Sequence, residues 1–149
     1  MMRLSMGLPD KEEELRILEL YMEKDPLSHI PAVLSAEDLF AAKEEANRVF
    51  VHQCIREYLV DIVEATRNEE GIVLGVSPRG SLAFLRCAKA YAYLNGRNFV
   101  TPDDVKAVAI PVLAHRIVQS YGYGKGSDSR SLVKQILSRI TVPTEDFRA

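Results

Sequence analysis

Gly75-Val76-Ser77-Pro78-Arg79-Gly80, running on through Ser81-Leu82-Ala83-Phe84-Leu85-Arg86-Cys87-Ala88-Lys89-Ala90-Tyr91-Ala92-Tyr93-Leu94-Asn95-Gly96, reads as a helix marked at both ends. Ser77 is a good N-cap, and Pro78 fits the first helical position, where its missing N–H costs nothing. Gly96 can adopt the left-handed conformation that closes a helix. Leu82, Leu85, Ala88 and Ala92 recur at helical spacing, and the many alanines let neighbouring helices come close. Arg79 breaks the pattern. It stands in the first turn, at the positive end of the helix dipole, where an anionic side chain is normally preferred. The local pattern favours a solvated arginine, because an exposed dipole effect is only about 0.3–1 kcal/mol. The alternative is an anion opposite Arg79, since helix N-termini bind phosphate groups.

Outward from this segment the signals stay helical. Toward the C-terminus, Asn98-Phe99-Val100 is a short extended link, and Thr101-Pro102-Asp103-Asp104 is a dense helix start of hydroxyl, proline and carboxylates. Val105, Val108 and Ala109 face inward, and Pro111 is expected to interrupt that helix and open another using Leu113 and Ile117. Tyr121 to Ser129 is a glycine-rich loop, followed by a last helix with Leu132, Val133, Ile136, Leu137 and Ile140 on its apolar side. Toward the N-terminus, Cys54, Ile55, Tyr58, Leu59, Ile62 and Val63 form a wide stripe, the mark of a helix with several neighbours. Asp10 with Glu13, and Ser35 with Asp38, are capping-box starts of two earlier helices. Leu15, Leu18 and Met22 give the first an apolar edge; Leu39, Ala42, Ala46 and Val49 share a face of the second. Residues 49–51 and 72–74 have extended character, the latter without an obvious pairing partner. No run alternates convincingly between polar and apolar residues. The expected fold is all-α, an irregular bundle of six or seven short helices.

Composition narrows the function. At 149 residues, 47% hydrophobic and 27% charged, the chain can bury a core and is not intrinsically disordered. A net charge of −2 argues against a nucleic-acid surface built on bulk basic charge. No apolar run approaches the roughly 18 residues needed to span a bilayer, and no signal peptide is visible, so a cytoplasmic location is expected. Cys54 and Cys87 lack paired spacing and read as reduced, buried thiols.

Few residues offer chemistry. Gly122-Tyr123-Gly124-Lys125-Gly126 invites a phosphate-loop reading but fails the G-x-x-x-x-G-K-[ST] spacing and follows no strand. His29, His52 and His115 have no metal-ligand spacing on a shared helix face. Asp103 and Asp104 are adjacent on a helix, point in different directions and suit capping better than acid–base work. No nucleophile–base pairing stands out, so no catalytic residue and no metal site is assigned to this chain alone.

Taken together, Gly75-Val76-Ser77-Pro78-Arg79-Gly80, the alanine-rich helix, and Asn95-Gly96-Arg97-Asn98-Phe99-Val100-Thr101-Pro102-Asp103-Asp104-Val105-Lys106-Ala107-Val108-Ala109 resemble the C-terminal lid of MoxR-family AAA+ ATPases. Pro111-Val112-Leu113-Ala114-His115-Arg116-Ile117 resembles the same family's continuation. At the front, Arg3-Leu4-Ser5-Met6-Gly7-Leu8-Pro9-Asp10 and Glu12-Glu13-Glu14-Leu15-Arg16-Ile17-Leu18 look like the stretch after the ATPase core's last strand. The resemblance implies two parts, residues 1–34 ending the core and connecting onward, and residues 35–149 forming the lid.

In that family the arginine after Ser-Pro is the sensor 2 residue, which reaches the γ-phosphate of ATP. By resemblance the role falls on Arg79, with Ser77, Pro78 and Gly80 shaping the nucleotide-binding turn; a planar guanidinium suits phosphate oxygens. Gly80 departs from the family, where alanine is commoner, and is expected to loosen the first turn slightly.

The sequence has no Walker A loop and no Walker B Asp-Glu, so the chain is expected to be the end of a longer ATPase and inactive by itself. ATP and Mg²⁺ would then bind through the core domain. The implied partners are that core, neighbouring subunits of a chaperone-like ring and a client protein, with no nucleic acid. The alternative is a stand-alone helical interaction module, using a surface around Phe40, Tyr91 or Tyr93.

Overall fold

The structure, a computed structural model, describes residues 1–23, 25–120, 128–144 and 147. Its backbone divides into two units, Leu4–Ala41 and a larger one of Met1–Arg3 with Ala42–Ala149. The Gly122–Gly126 stretch lies outside the described residues.

In the smaller unit, α1 (Lys11–Glu23) begins with the expected reciprocal cap. The Asp10 N–H donates to Glu13 Oε2 at 3.1 Å, and the Glu13 N–H donates to Asp10 Oδ1 at 2.8 Å. Asp25 caps a 3₁₀ turn at Pro26–His29, a piece of structure inside what the sequence offered only as a connector. Ser35 and Asp38 then exchange bonds at the start of α2 (Ala36–Arg48), which runs on into the larger unit. No described side chain of the smaller unit is buried. The apolar edge of α1, Leu15, Leu18 and Met22, is exposed along its length.

The larger unit holds the core. It contains α3 (Gln53–Asn68), α4 (Pro78–Leu94), α5 (Pro102–Leu113) and α6 (Ser129–Arg139), with a 3₁₀ turn at Ala114–Arg116. Among described residues the only sheet has two strands, β1 (Ile72–Leu74) and β2 (Val118–Gln119), antiparallel. The fold is thus mainly helical, as expected. The α4–α5 pair forms the most extensive interface. Ala88, Ala92 and Ala109, all fully buried, lie on these two helices and permit their close approach. Phe84, Ile55, Ile62, Val105 and Val112 fill the centre, each contributing about 1.5–3 kcal/mol by burial.

Three expectations need correction. The buried side of α4 is Ala83, Phe84, Cys87, Ala88 and Ala92, whereas Leu82 is 56% exposed and Leu85 half-buried. The aromatic ring of Phe84 claims the core and turns the leucine stripe outward. The shared face of α2 is only partly used: Ala42 and Ala46 are half-buried and Val49, just beyond the helix, is buried, whereas Leu39 is exposed. Pro111 does not split α5; it stands inside it, one turn from the end, where one missing hydrogen bond is tolerated. Residues 72–74 do have a partner, since Ile72 is opposite Gln119 and Leu74 opposite Val118. The two extended links also meet: the Phe50 N–H donates to Asn98 O at 2.8 Å and the Val100 N–H to Phe50 O at 3.0 Å.

Cys87 is a buried free cysteine, and Cys54 is half-buried beside the His52 ring. Burial pushes the Cys87 thiol up, which keeps it protonated and unreactive. No helix of the described residues is long and apolar enough to cross a membrane.

Candidate functional site

The turn that leads into α4 is fixed from α3. The Thr66 hydroxyl donates to Val63 O at 2.6 Å and accepts from the Val76 N–H at 3.0 Å. Arg67 Nε donates to Val76 O at 2.9 Å. Thr66 is fully buried, so these bonds have no competing water and hold Val76 in place. Ser77 follows as the N-cap, its hydroxyl accepting from the Gly80 N–H at 3.4 Å. At the other end Gly96 takes a φ of 70°, the left-handed closure its position asks for.

This start of α4 offers fewer free donors than a typical helix N-terminus. Pro78 has no N–H, and Ser77 O accepts from both Gly80 N at 2.8 Å and Ser81 N at 3.1 Å. The Arg79 N–H alone stays without a partner among the described residues. An anion here would therefore be held chiefly by side chains.

Those side chains are present. A groove of about 1070 Å³ opens over the first two turns of α4 and is lined by four arginines, Arg67, Arg79, Arg86 and Arg116. No carboxylate is among its described lining residues. Val73, Leu74 and Leu82 add apolar lining to the groove. Arg79, Leu82 and Arg86 share one face of α4, as a spacing of three and then four residues requires. Arg79 and Arg86 are exposed and make no hydrogen bond or ion pair with a described residue. Arg116 is half-buried; its Nη1 donates to Val112 O and lies 2.5 Å from His115 Nε2. Burial and the Arg116 charge hold His115 below the ordinary imidazole value, so the neutral ring can accept that bond.

Asp104 caps α5 in a capping box with Thr101, whereas Asp103 is an exposed first-turn carboxylate 3.8 Å from Lys106 Nζ. Asp104 accepts from the Thr101 N–H and hydroxyl and receives both Arg97 guanidinium nitrogens. Burial alone would raise its pKa, but the Arg97 and Thr101 bonds outweigh that and hold it below the usual carboxylate range. Among the described residues no group of His, Cys, Asp and Glu could hold a metal ion.

Of the four site residues proposed from sequence, Arg79, Ser77 and Gly80 line the groove, and Pro78 opens the helix beneath it. Arg67 and Arg116 had no local signal. They reach the groove through long-range packing, although Arg116 lies within the stretch that carries the family resemblance. Gly80 sits where packing is tight. A Cβ there would stand 2.5 Å from Val76 Cγ1 and 3.2 Å from Arg116 Cδ, so the glycine permits close packing.

An AAA lid domain is matched over residues 64–136, which include all four arginines. Chaperone MoxR1 of Mycobacterium tuberculosis is 32% identical over 151 residues, covering 95% of this chain and 40% of that protein. The chain carries the AAA lid of a MoxR-family protein. Further relatives match over nearly the whole chain. The uncharacterized protein YeaC of Bacillus subtilis is 36% identical over 144 residues, 96% of this chain and 45% of its own length. A Cytophaga hutchinsonii crystal structure, of a protein provisionally named an ATPase, superposes with a TM-score of 0.82 at 27% identity. The match covers 97% of this chain and 47% of that one. The lid chain thus spans less than half the length of these relatives.

Proposed function

We propose that this lid senses bound nucleotide in a MoxR-type AAA+ ATPase, with Arg79 as its sensor 2 residue. The observation that carries the reading is the groove itself: Arg79 at the start of α4, among three further arginines, with no ion-pair partner and no lining carboxylate among the described residues. A triphosphate is a fitting counterion, because a guanidinium fork makes several charge-assisted bonds to phosphate oxygens. The apolar lining from Val73, Leu74 and Leu82 suits the uncharged part of a nucleotide. Residues 1–34 close the ATPase core and connect it to the lid. The core supplies the phosphate cradle, the Mg²⁺ site and the water-positioning residue, and the chain alone neither hydrolyses ATP nor holds it better than roughly millimolar. Lid movement then passes the nucleotide state to neighbouring subunits of a ring and to a client protein in the cytoplasm.

The interaction-module reading has less support. Phe40 is 66% exposed, but Tyr93 is committed to a bond with Glu45 Oε2 at 2.8 Å.

The test is turnover in the complete ATPase. Arg79→Ala is expected to slow hydrolysis about 10–1000-fold, the effect of losing one charge-stabilising contact. Arg79→Lys should recover part of it, because a point charge lacks the fork. Arg56→Ala, exposed on α3 and outside the groove, is the control; Arg86 lines the groove and cannot serve. Equal turnover of the Arg79 and Arg56 variants, or a loss that tracks the melting temperature, would overturn the reading.

A further inference from the structure

We propose that Arg116 is a second anion-binding guanidinium of the lid, placed to share one phosphate group with Arg79; this rests on the phosphate reading of the groove. Three observations meet here. The Arg116 stem lies across the first turn of α4: its Cδ is 3.2 Å and its Nε 3.7 Å from the position a Cβ on residue 80 would take. The missing side chain of Gly80 is what leaves this path open. The guanidinium is also held on one edge only. Nη1 is fixed by Val112 O and the His115 ring, while Nε and Nη2 make no hydrogen bond with a described residue. An arginine anchored at one nitrogen and open at the others has already lost most of the rotamer freedom that binding would otherwise cost.

The third observation is electrostatic. The start of α4 carries the positive end of a helix dipole and two guanidiniums, with no carboxylate among the described lining residues. Like charges gathered at one end of a helix repel, and a multivalent anion removes that repulsion. With one free backbone N–H at this turn, guanidiniums must supply most of the donors. The other two arginines are less suited. Arg67 has its Nε on Val76 O, and Arg86 is rooted about 10 Å further along the helix axis.

The experiment is an NMR titration of this chain with sodium triphosphate at constant ionic strength, following arginine Nε–Hε signals and the Arg79 amide. The Arg79 and Arg116 signals are expected to move together and saturate with one Kd of about millimolar order. Arg116→Met keeps a stem over Gly80 and removes the charge, and should raise that Kd about 5–10-fold at an unchanged melting temperature. Arg116→Lys should fall between the two. An Arg116 signal that stays still, or a Met variant that titrates like the parent while Arg79→Ala does not bind, would overturn this inference and leave the Arg79 reading standing. A Met variant that melts earlier but keeps its Kd would assign Arg116 a packing role only, also against the inference. If neither arginine responds, both readings fail.

Discussion

A Cβ on residue 75 would stand 2.6 Å from the Thr66 carbonyl oxygen and 2.7 Å from Arg67 Cα, so backbone would have to move to admit it. At Gly80 the obstacle is a valine methyl and an arginine stem, which can give a little. The two glycines therefore differ in cost. Gly80→Ala gains about 1 kcal/mol of helix propensity against about 1–3 kcal/mol of overpacking. Gly75→Ala has no helical gain to offset its clash. Urea unfolding is expected to show Gly75→Ala destabilised by about 3 kcal/mol and Gly80→Ala by about 1 kcal/mol; the reverse order would mean that the turn is not held by α3 as described. Asp104 gives a second residue-scale prediction. Its folded pKa lies below the unfolded value, so the stability it supplies is complete above about pH 4 and is lost as pH falls through the folded pKa. Asp104→Asn should cost roughly 2–4 kcal/mol at neutral pH, below the upper end for a broken buried pair because Arg97 is 29% exposed. It should also flatten the acid limb of the stability curve. An unchanged acid limb would show that the pair does not govern it.

At the scale of elements, the ends of helices were legible and their partners were not. Asp10 with Glu13, Ser35 with Asp38, Ser77 with Pro78, and Thr101 with Asp104 all cap as their spacing suggests, because a cap is decided within four residues. The pairing of β1 with β2 joins residues about 45 positions apart, and β2 is too short to carry a period of its own. The facing of α4 failed for a related reason. Alanine and leucine at neighbouring positions define two overlapping stripes, and only the bulk of Phe84 beneath the helix chooses between them. The groove shows the same division: Arg79 could be picked out by its place in the first turn, whereas Arg67 and Arg116 come to it from α3 and from the turn after α5. Their contribution depends on tertiary contacts that no local window contains.

Over the whole molecule, burial is concentrated in the larger unit. α1 has thirteen residues, none of its described side chains is buried, and Leu15, Leu18, Leu20, Tyr21 and Met22 are exposed. A helix of that length without packing is marginal in water. Hydrogen exchange on this chain is therefore expected to be fast throughout α1 and slow in α3, α4 and α5, whose openings approach global unfolding. Protection in α1 equal to that in α4 would show that its apolar edge is packed. The central claim, that Arg79 of this MoxR-type lid reads the γ-phosphate, is tested most directly by nucleotide affinity in the complete ATPase. Arg79→Ala should weaken a non-hydrolysable ATP analogue about tenfold or more, equivalent to about 1.4 kcal/mol or above, and leave ADP within about twofold of the parent. Equal losses for both nucleotides, or no loss for either, would contradict it.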